Sequence, residues 1–294
     1  MQAFHIPVLL NESIAHLNIK SNGVYVDCTL GEAGHSKEIL KHLSKDGMLI
    51  SIDQDSEAIE FVKSENEQLL KETNWKLIHS NFKDIQKIDL LKNKKVDGIL
   101  MDLGVSSRQL DQANRGFTYS NEQAPLDMRM NQDLSVSAYD LIQVLNEKEL
   151  EKLFRIYGEE KFARKIAHEI KKTDIKNVGD LTSLVYKVVP ATVRREDSHH
   201  PARRVFQALR IAVNDEINSL KDGLDNAFEV LNKEGRLVVI TFQSLEDRIV
   251  KDFFKSKEKE NQAEIIGDYI APTEEEINLN SRSRTAKLRT LEKK

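Results

Sequence analysis

The chain has 294 residues, 39% hydrophobic and 31% charged, with a formal net charge of −4. That length predicts about two domains at roughly 150 residues each, and the near-neutral balance excludes a globally basic nucleic-acid coat while leaving room for a local basic patch. A single cysteine, Cys28, excludes an intramolecular disulfide framework and a multi-cysteine metal site, which suits a reducing cytosol. The opening MQAFHIPVLLN has neither the basic start nor the apolar length of a signal peptide, and no apolar run reaches the roughly 18 residues of a membrane span. The expectation is a soluble, cytoplasmic, globular protein.

The first hundred residues alternate short apolar runs with helical patterns. Residues 24–30 (VYVDCTL) predict a buried strand, 31–34 a glycine turn, and 36–43 a short amphipathic helix. Residues 48–53 (MLISID) predict the next strand, followed by a helix over 56–62 with Ser56 as its N-cap. Residues 75–79 and 96–103 predict two further strands. Strands alternating with helices imply a parallel sheet with right-handed crossovers. From about Ser107 to about His199 strong strand patterns are absent. Leu150, Leu153, Phe154, Tyr157, Phe162, Ile166 and Ile170 recur at helical spacing through 148–172. Further helices are expected over 179–189, closed by Pro190, and from Pro201 to Asn214. Residues 235–242 (GRLVVITF) predict a strand, 245–254 a helix and 264–270 an edge strand. The fold class is therefore α/β. One sheet domain, 1–107 and 200–294, is interrupted by a helical insertion over 108–199.

The chemistry gathers at the end of the first strand. In DCTLGEAGH (27–35) the glycines allow close backbone approach, and the following helix offers free N–H groups. Asp53 ends the second strand, where a carboxylate can hold the two hydroxyls of a ribose. The plain alternative is a tight strand-to-helix turn with Asp53 as a surface charge, since G-x-x-G is not a full dinucleotide fingerprint. A dinucleotide would leave a pyrophosphate on the turn. S-adenosylmethionine would present a carboxylate, an ammonium and a sulfonium. Asp27 and Asp102 at strand ends suit the cationic ligand better, but the residues alone leave both cofactors open.

Eight segments, in order, resemble the bacterial small-subunit (16S) ribosomal RNA cytosine-N4 methyltransferase family. They are DCTLGEAGHS (27–36), SIDQD (51–55), LMDLGVSSRQLD (100–111), RGFTYS (115–120), PLDMRM (125–130), HPARRVFQALRIAVNDE (200–216), SLEDRIVKDFF (244–254) and RSRTAKLR (282–289). With HIPVLL from His5, the resemblance spans nearly the whole chain. It implies a Rossmann-like S-adenosylmethionine-dependent methyltransferase sheet whose helical insertion recognises RNA. It also implies S-adenosylmethionine as cofactor, held by Ala33, Gly34 and His35 in the turn, Asp53 at the ribose, Phe82 at the adenine, and Asp102 and Gln109 completing the pocket. The substrate implied is the small ribosomal subunit, at a cytosine in the decoding region. Gln243 stands where the family pattern has a histidine before the serine, so no proton transfer is assigned there. Asn280-Ser281 replaces an expected Asn-Pro.

The implied reaction is in-line methyl transfer to the exocyclic amine of cytosine, whose lone pair is delocalised into the ring. Fixed acceptors can localise that lone pair, and a carboxylate is a natural acceptor for the cytosine amine. Asp102, the acid of the DLGVSS segment, is the expected catalytic residue, with backbone carbonyls of Leu103 to Ser106 as partners. Most of the catalysis is expected from orientation. Two basic clusters are expected to meet phosphates. Residues 191–210 carry five arginines, including Arg194, Arg195, Arg203 and Arg204, against two acids. Residues 281–294 carry Arg282, Arg284, Arg289, Lys287 and two further lysines against one acid. The plain alternatives are a solvated helix face and a frayed tail. His199 and His200 beside Glu196 and Asp197 lack a third ligand, and no metal is expected. Two other functions compete: a nucleotide-dependent oxidoreductase on a similar sheet, and a non-catalytic ribosome assembly factor.

Overall fold

A computed structural model describes residues 7–196 and 200–294. His5, Asp197 and His199, singled out above, lie outside the described residues. The chain divides into two compact units, Met1–Gly104 with Ile217–Lys294, and Val105–Glu216.

The first unit is built on β1 (Val24–Asp27), β2 (Met48–Asp53), β3 (Trp75–His79), β4 (Val96–Asp102), β5 (Leu231–Thr241), β6 (Ala263–Ile265) and β7 (Lys287–Lys293). Among the described residues these form one sheet in the order β3-β2-β1-β4-β5-β7-β6. The first five run parallel, while β7 is antiparallel to both β5 and β6. The central strands are near-continuous Val, Ile and Leu because both faces are covered. Val26, Ile50, Ile52, Ile99, Met101, Leu237 and Val239 point to one apolar cluster, and Tyr25, Leu49, Leu100, Val238 and Ile240 to the other. Each such side chain contributes roughly 1.5–3 kcal/mol on burial.

Two expectations and one plain alternative need correcting, and one helix was missed. The residues after 280 are not a tail: Lys287–Lys293 is a strand wedged between β5 and β6, with Leu288 and Leu291 fully buried. Of the stretch 264–270, only its start, in β6, is strand. The helix Ser56–Glu65 is capped by Asp55, whose carboxylate accepts from the Glu57 amide at 3.1 Å, so Ser56 is its first helical residue. The helix Glu216–Val230 was not foreseen at all; its apolar face, including Leu220, Leu224, Ala227 and Phe228, covers the sheet.

The second unit is helical. The single periodic run over 148–172 is two helices, Glu147–Tyr157 and Ala163–Ile170. Gly158 is the C-cap of the first, where only glycine fits because a Cβ would meet the Arg204 carbonyl oxygen at 2.4 Å, and Glu159 then takes a left-handed φ of 49°. The unit continues past residue 200. The helix Arg203–Val213 turns Val205, Phe206, Ala208 and Leu209 into the same apolar cluster as Phe154, Ile166 and Leu181. The boundary therefore falls at 216/217, not 199/200, because that amphipathic face needs the insertion's core.

Candidate active site

β1 ends on Asp27, and the chain turns through 28–33 into the helix Gly34–His42. Gly31 (φ 51°) and Ala33 (φ 65°) both lie in the left-handed region. Glycine adopts it freely and alanine only under constraint, here full burial of Ala33 and its amide donating to the Leu30 carbonyl at 2.7 Å. Gly34 has a different reason. A Cβ there would sit 2.2 Å from Pro7 Cγ, so packing excludes any side chain.

Asp27 is buried and receives a directed chain of hydrogen bonds. The Trp75 indole N–H donates to Ser51 Oγ at 2.8 Å. Ser36 Oγ lies 2.7 Å from Ser51 Oγ and donates to Asp27 Oδ2 at 2.6 Å. Ser36 has one hydroxyl proton and spends it on the carboxylate, so Ser51 must donate to Ser36. The Thr29 amide donates to Asp27 Oδ1 at 3.1 Å. Burial still pushes the Asp27 carboxyl up, with the Ser36 and Thr29 bonds opposing it.

Asp53, at the end of β2, accepts from the Gly31 amide at 2.9 Å through Oδ2 and from the Asp55 amide at 2.9 Å through Oδ1. Those bonds aim it at the glycine turn. Burial raises its pKa to about 6 against these bonds, and Asp55 and Asp27 add repulsion. A carboxylate has about four acceptor directions, so two remain for a pair of hydroxyls.

Asp102 ends β4. Its backbone amide donates to Thr29 Oγ1 at 2.7 Å, which ties the ends of β1 and β4 together. Its side chain is 22% exposed, yet Oδ1 is a buried atom with no hydrogen-bond partner. Oδ2 lies 3.8 Å from His35 Nδ1. His35 does not cap its helix; its ring is buried and Nε2 sits 3.0 Å from the Val8 carbonyl oxygen. A carbonyl cannot donate, so Nε2 carries a proton, and Nδ1 is the ring nitrogen nearer Asp102. Burial first, then repulsion from Asp27 and Glu246, raise the Asp102 pKa to about 8.

Three carboxyls at adjoining strand ends thus hold their protons more tightly than usual. Among the described residues no lysine or arginine pairs with Asp27, Asp53 or Asp102. A cationic ligand relieves that strain and a pyrophosphate aggravates it. The donor set fits a group with a ribose, an ammonium and a sulfonium, and does not fit a dinucleotide.

The other foreseen residues fall in several places. The Phe82 ring packs on the helix Glu216–Val230, where a Cβ on Gly223 would meet its Cδ2 at 2.5 Å. Gln109 belongs to the second unit, where its side chain and that of Ser106 form a reciprocal cap on the helix Ser107–Asp111. Also in that unit, the Arg194 guanidinium lies 3.7 Å from the centre of the Tyr186 ring, Arg195 is exposed, and Arg203 and Arg204 are half-buried at a helix start. In the first unit Arg282 and Arg284 are exposed. Lys287 and Arg289 are engaged instead with Asp247, at 3.2 Å and 2.7 Å. Sequence reasoning left out Gln243 and Glu246, which follow β5. Their only signal was a departure from the family pattern at 243.

No helix among the described residues is long and apolar enough to cross a membrane, and no group of three or more His, Cys, Asp or Glu there could hold a metal ion. The sheet order and the acidic carboxyl edge define a Rossmann-like S-adenosylmethionine-dependent methyltransferase fold. NSun6 from Pyrococcus horikoshii, crystallised with SFG, shares that fold at a TM-score of 0.50 and 12% identity, covering 100% of this chain and 55% of its own. The sequence matches the model of the MraW methylase family over residues 2–294, and the chain belongs to that family. It is 50% identical to the ribosomal RNA small subunit methyltransferase H of Clostridium botulinum (strain Loch Maree / Type A3), over 100% of both chains. Identity to the protein of that name from Clostridioides difficile (strain 630) is 45%, again over 100% of both. Membership of a methylase family sets aside the oxidoreductase and non-catalytic alternatives.

Proposed function

We propose that this chain methylates the exocyclic N4 amine of a cytosine in the decoding region of small-subunit ribosomal RNA, in the cytoplasm. The observation that carries the reading is Asp102 Oδ1, a buried acceptor without a partner at the carboxyl edge of the sheet, where ligands gather in open α/β folds. When bound, S-adenosylmethionine supplies a methyl group already activated on a sulfonium. Asp53 holds the ribose hydroxyls, and the turn at Ala33, Gly34 and His35 lines the same ligand. Phe82 stands at the adenine. Asp27 offsets its positive charge.

Asp102 accepts an N–H of the target amine, drawing the nitrogen lone pair out of the ring. A cation beside Asp27 and Asp102 lowers the pKa of Asp102 and frees its carboxylate for this task. As the nitrogen–carbon bond forms and the methyl carbon's bond to sulfur breaks, its electron pair leaving with a neutral thioether, the amine becomes strongly acidic and passes one proton to the Asp102 carboxylate. The base must be unstacked to reach this edge, and single-stranded loops of RNA offer such bases. The helical unit recognises the RNA, with Arg194, Arg195, Arg203 and Arg204 on phosphates. Arg282 and Arg284 add contacts from the sheet unit, while Lys287, also expected on phosphates, and Arg289 serve the fold through Asp247.

The test is Asp102→Ala. Methyl transfer falls by about 10²–10⁴-fold, the range for loss of a positioned acid or base, while small-subunit binding is retained. Unchanged transfer by this variant contradicts the role given to Asp102.

A further inference from the structure

Among the described residues few buried side-chain oxygens lack a partner, and two of them stand at neighbouring strand ends: Asp102 Oδ1 after β4 and Gln243 Oε1 after β5. The two strands are in register there. Asp102 pairs with Ile240, and the Leu103 amide donates to the Ile240 carbonyl at 3.0 Å. Gln243 is the N-cap of the helix Ser244–Lys259, but its side chain makes no capping bond. Its amide nitrogen donates instead to Glu246 Oε1 at 2.5 Å. Glu246 is buried, and its Oε2 accepts from the Phe242 amide at 3.2 Å, which fixes the carboxyl in place. Because Oε1 of Glu246 faces it, the Gln243 amide must present nitrogen there and oxygen on the other side. A buried amide oxygen left bare is costly, so its persistence at the strand end adjoining the one that carries a second bare acceptor points to a ligand that donates to both.

We infer that Gln243 Oε1 and Asp102 Oδ1 together bind the two N–H groups of the target exocyclic amine, with Glu246 as the residue that positions Gln243. This rests on the methyltransferase reading above. Two acceptors on adjoining strand ends accept the two N–H groups of an amine and reject the carbonyl that uracil presents at the same place, which would meet oxygen with oxygen. A site built to bond a group discriminates strongly against an analogue lacking it. Gln243 is thus a specificity-determining catalytic residue, and Glu246 acts through it. Glu246 also repels charge on Asp102, as Asp27 does, with His35 Nδ1 on the far side at 3.8 Å.

The test uses the full chain loaded with S-adenosylhomocysteine, titrated calorimetrically with cytidine and with uridine, beside methylation assays on small subunits. Gln243→Leu, similar in size but without an acceptor, is expected to lose the preference for cytidine and to drop kcat about 10²-fold. The KM for S-adenosylmethionine should be unchanged. Gln243→His restores both above the imidazole pKa, since only neutral imidazole accepts. Glu246→Gln keeps an acceptor for the Gln243 amide and moves the acid limb of the rate profile to lower pH; a merely structural Glu246 leaves that limb in place. A Gln243→Leu protein that folds, keeps its cytidine preference and keeps its kcat overturns the inference, as does a wild type that does not distinguish the two nucleosides. A wild type that prefers cytidine through Gln243 yet transfers no methyl group upholds the inference and defeats the functional reading instead.

Discussion

At the scale of single residues, the site is a contest between burial and charge. Asp102, at a pKa of about 8, keeps its proton in the folded chain long after an unfolded carboxyl has lost it. Between its ordinary value and 8 the native state therefore holds one proton more than the unfolded state, so its contribution to stability falls as pH rises and is fully lost above 8. Asp102→Asn removes that penalty. The variant's thermal stability, relative to wild type, should be greater at pH 9 than at pH 4, measured on ligand-free protein. An offset that does not change with pH contradicts the burial of this carboxyl. Ser36→Ala should act in the opposite sense. It takes the donor from Asp27 Oδ2, costing about 1–3 kcal/mol in denaturant unfolding. The loss should deepen as pH rises, because the Asp27 carboxyl it leaves behind ionises with still more difficulty.

At the scale of elements, β7 decides what the basic C-terminal residues do. Removing 287–294 should expose the edges of β5 and β6 and the partners of Leu288 and Leu291, abolishing cooperative unfolding; a frayed tail would leave the melting temperature unchanged. Gly34→Ala should cost about 1–3 kcal/mol, typical of overpacking, because its Cβ would overlap Pro7. Much of the sheet was legible. β2 and β3 match their runs to the residue: β2 is buried on both faces and spells itself out in Ile and Leu, while Trp75, Leu77 and Ile78 mark β3 at the sheet edge. β7 was not, because its alternation is masked by Lys287 and Arg289, whose charges Asp247 neutralises from a helix forty residues away in sequence. The same holds in the site. The glycine turn, His35, Asp53 and Asp102 sit in local patterns with chemical meaning, whereas Gln243 gains its role from a buried Glu246 and from the register of β4 with β5. Those are tertiary facts. The split of the run 148–172 falls at Gly158 and the left-handed Glu159, and the close approach of the Arg204 backbone that requires glycine there is likewise a tertiary fact.

At the scale of the whole molecule, a net charge of −4 and an RNA substrate are reconciled by a few exposed arginines. Replacing Arg282 and Arg284 together by Ala should weaken small-subunit binding and reduce the slope of log affinity against log salt by about 1.4–1.8, at roughly 0.7–0.9 per phosphate contact. Affinity for S-adenosylhomocysteine should not move. An unchanged slope assigns these arginines to solvent. The most direct measurement incubates the purified chain with S-adenosylmethionine and small ribosomal subunits lacking base methylation, then digests the RNA and examines its nucleosides by mass spectrometry. N4-methylcytidine should form with the wild type and not with Asp102→Ala. Its absence with wild-type protein that binds S-adenosylhomocysteine, or its equal formation by the variant, contradicts the account.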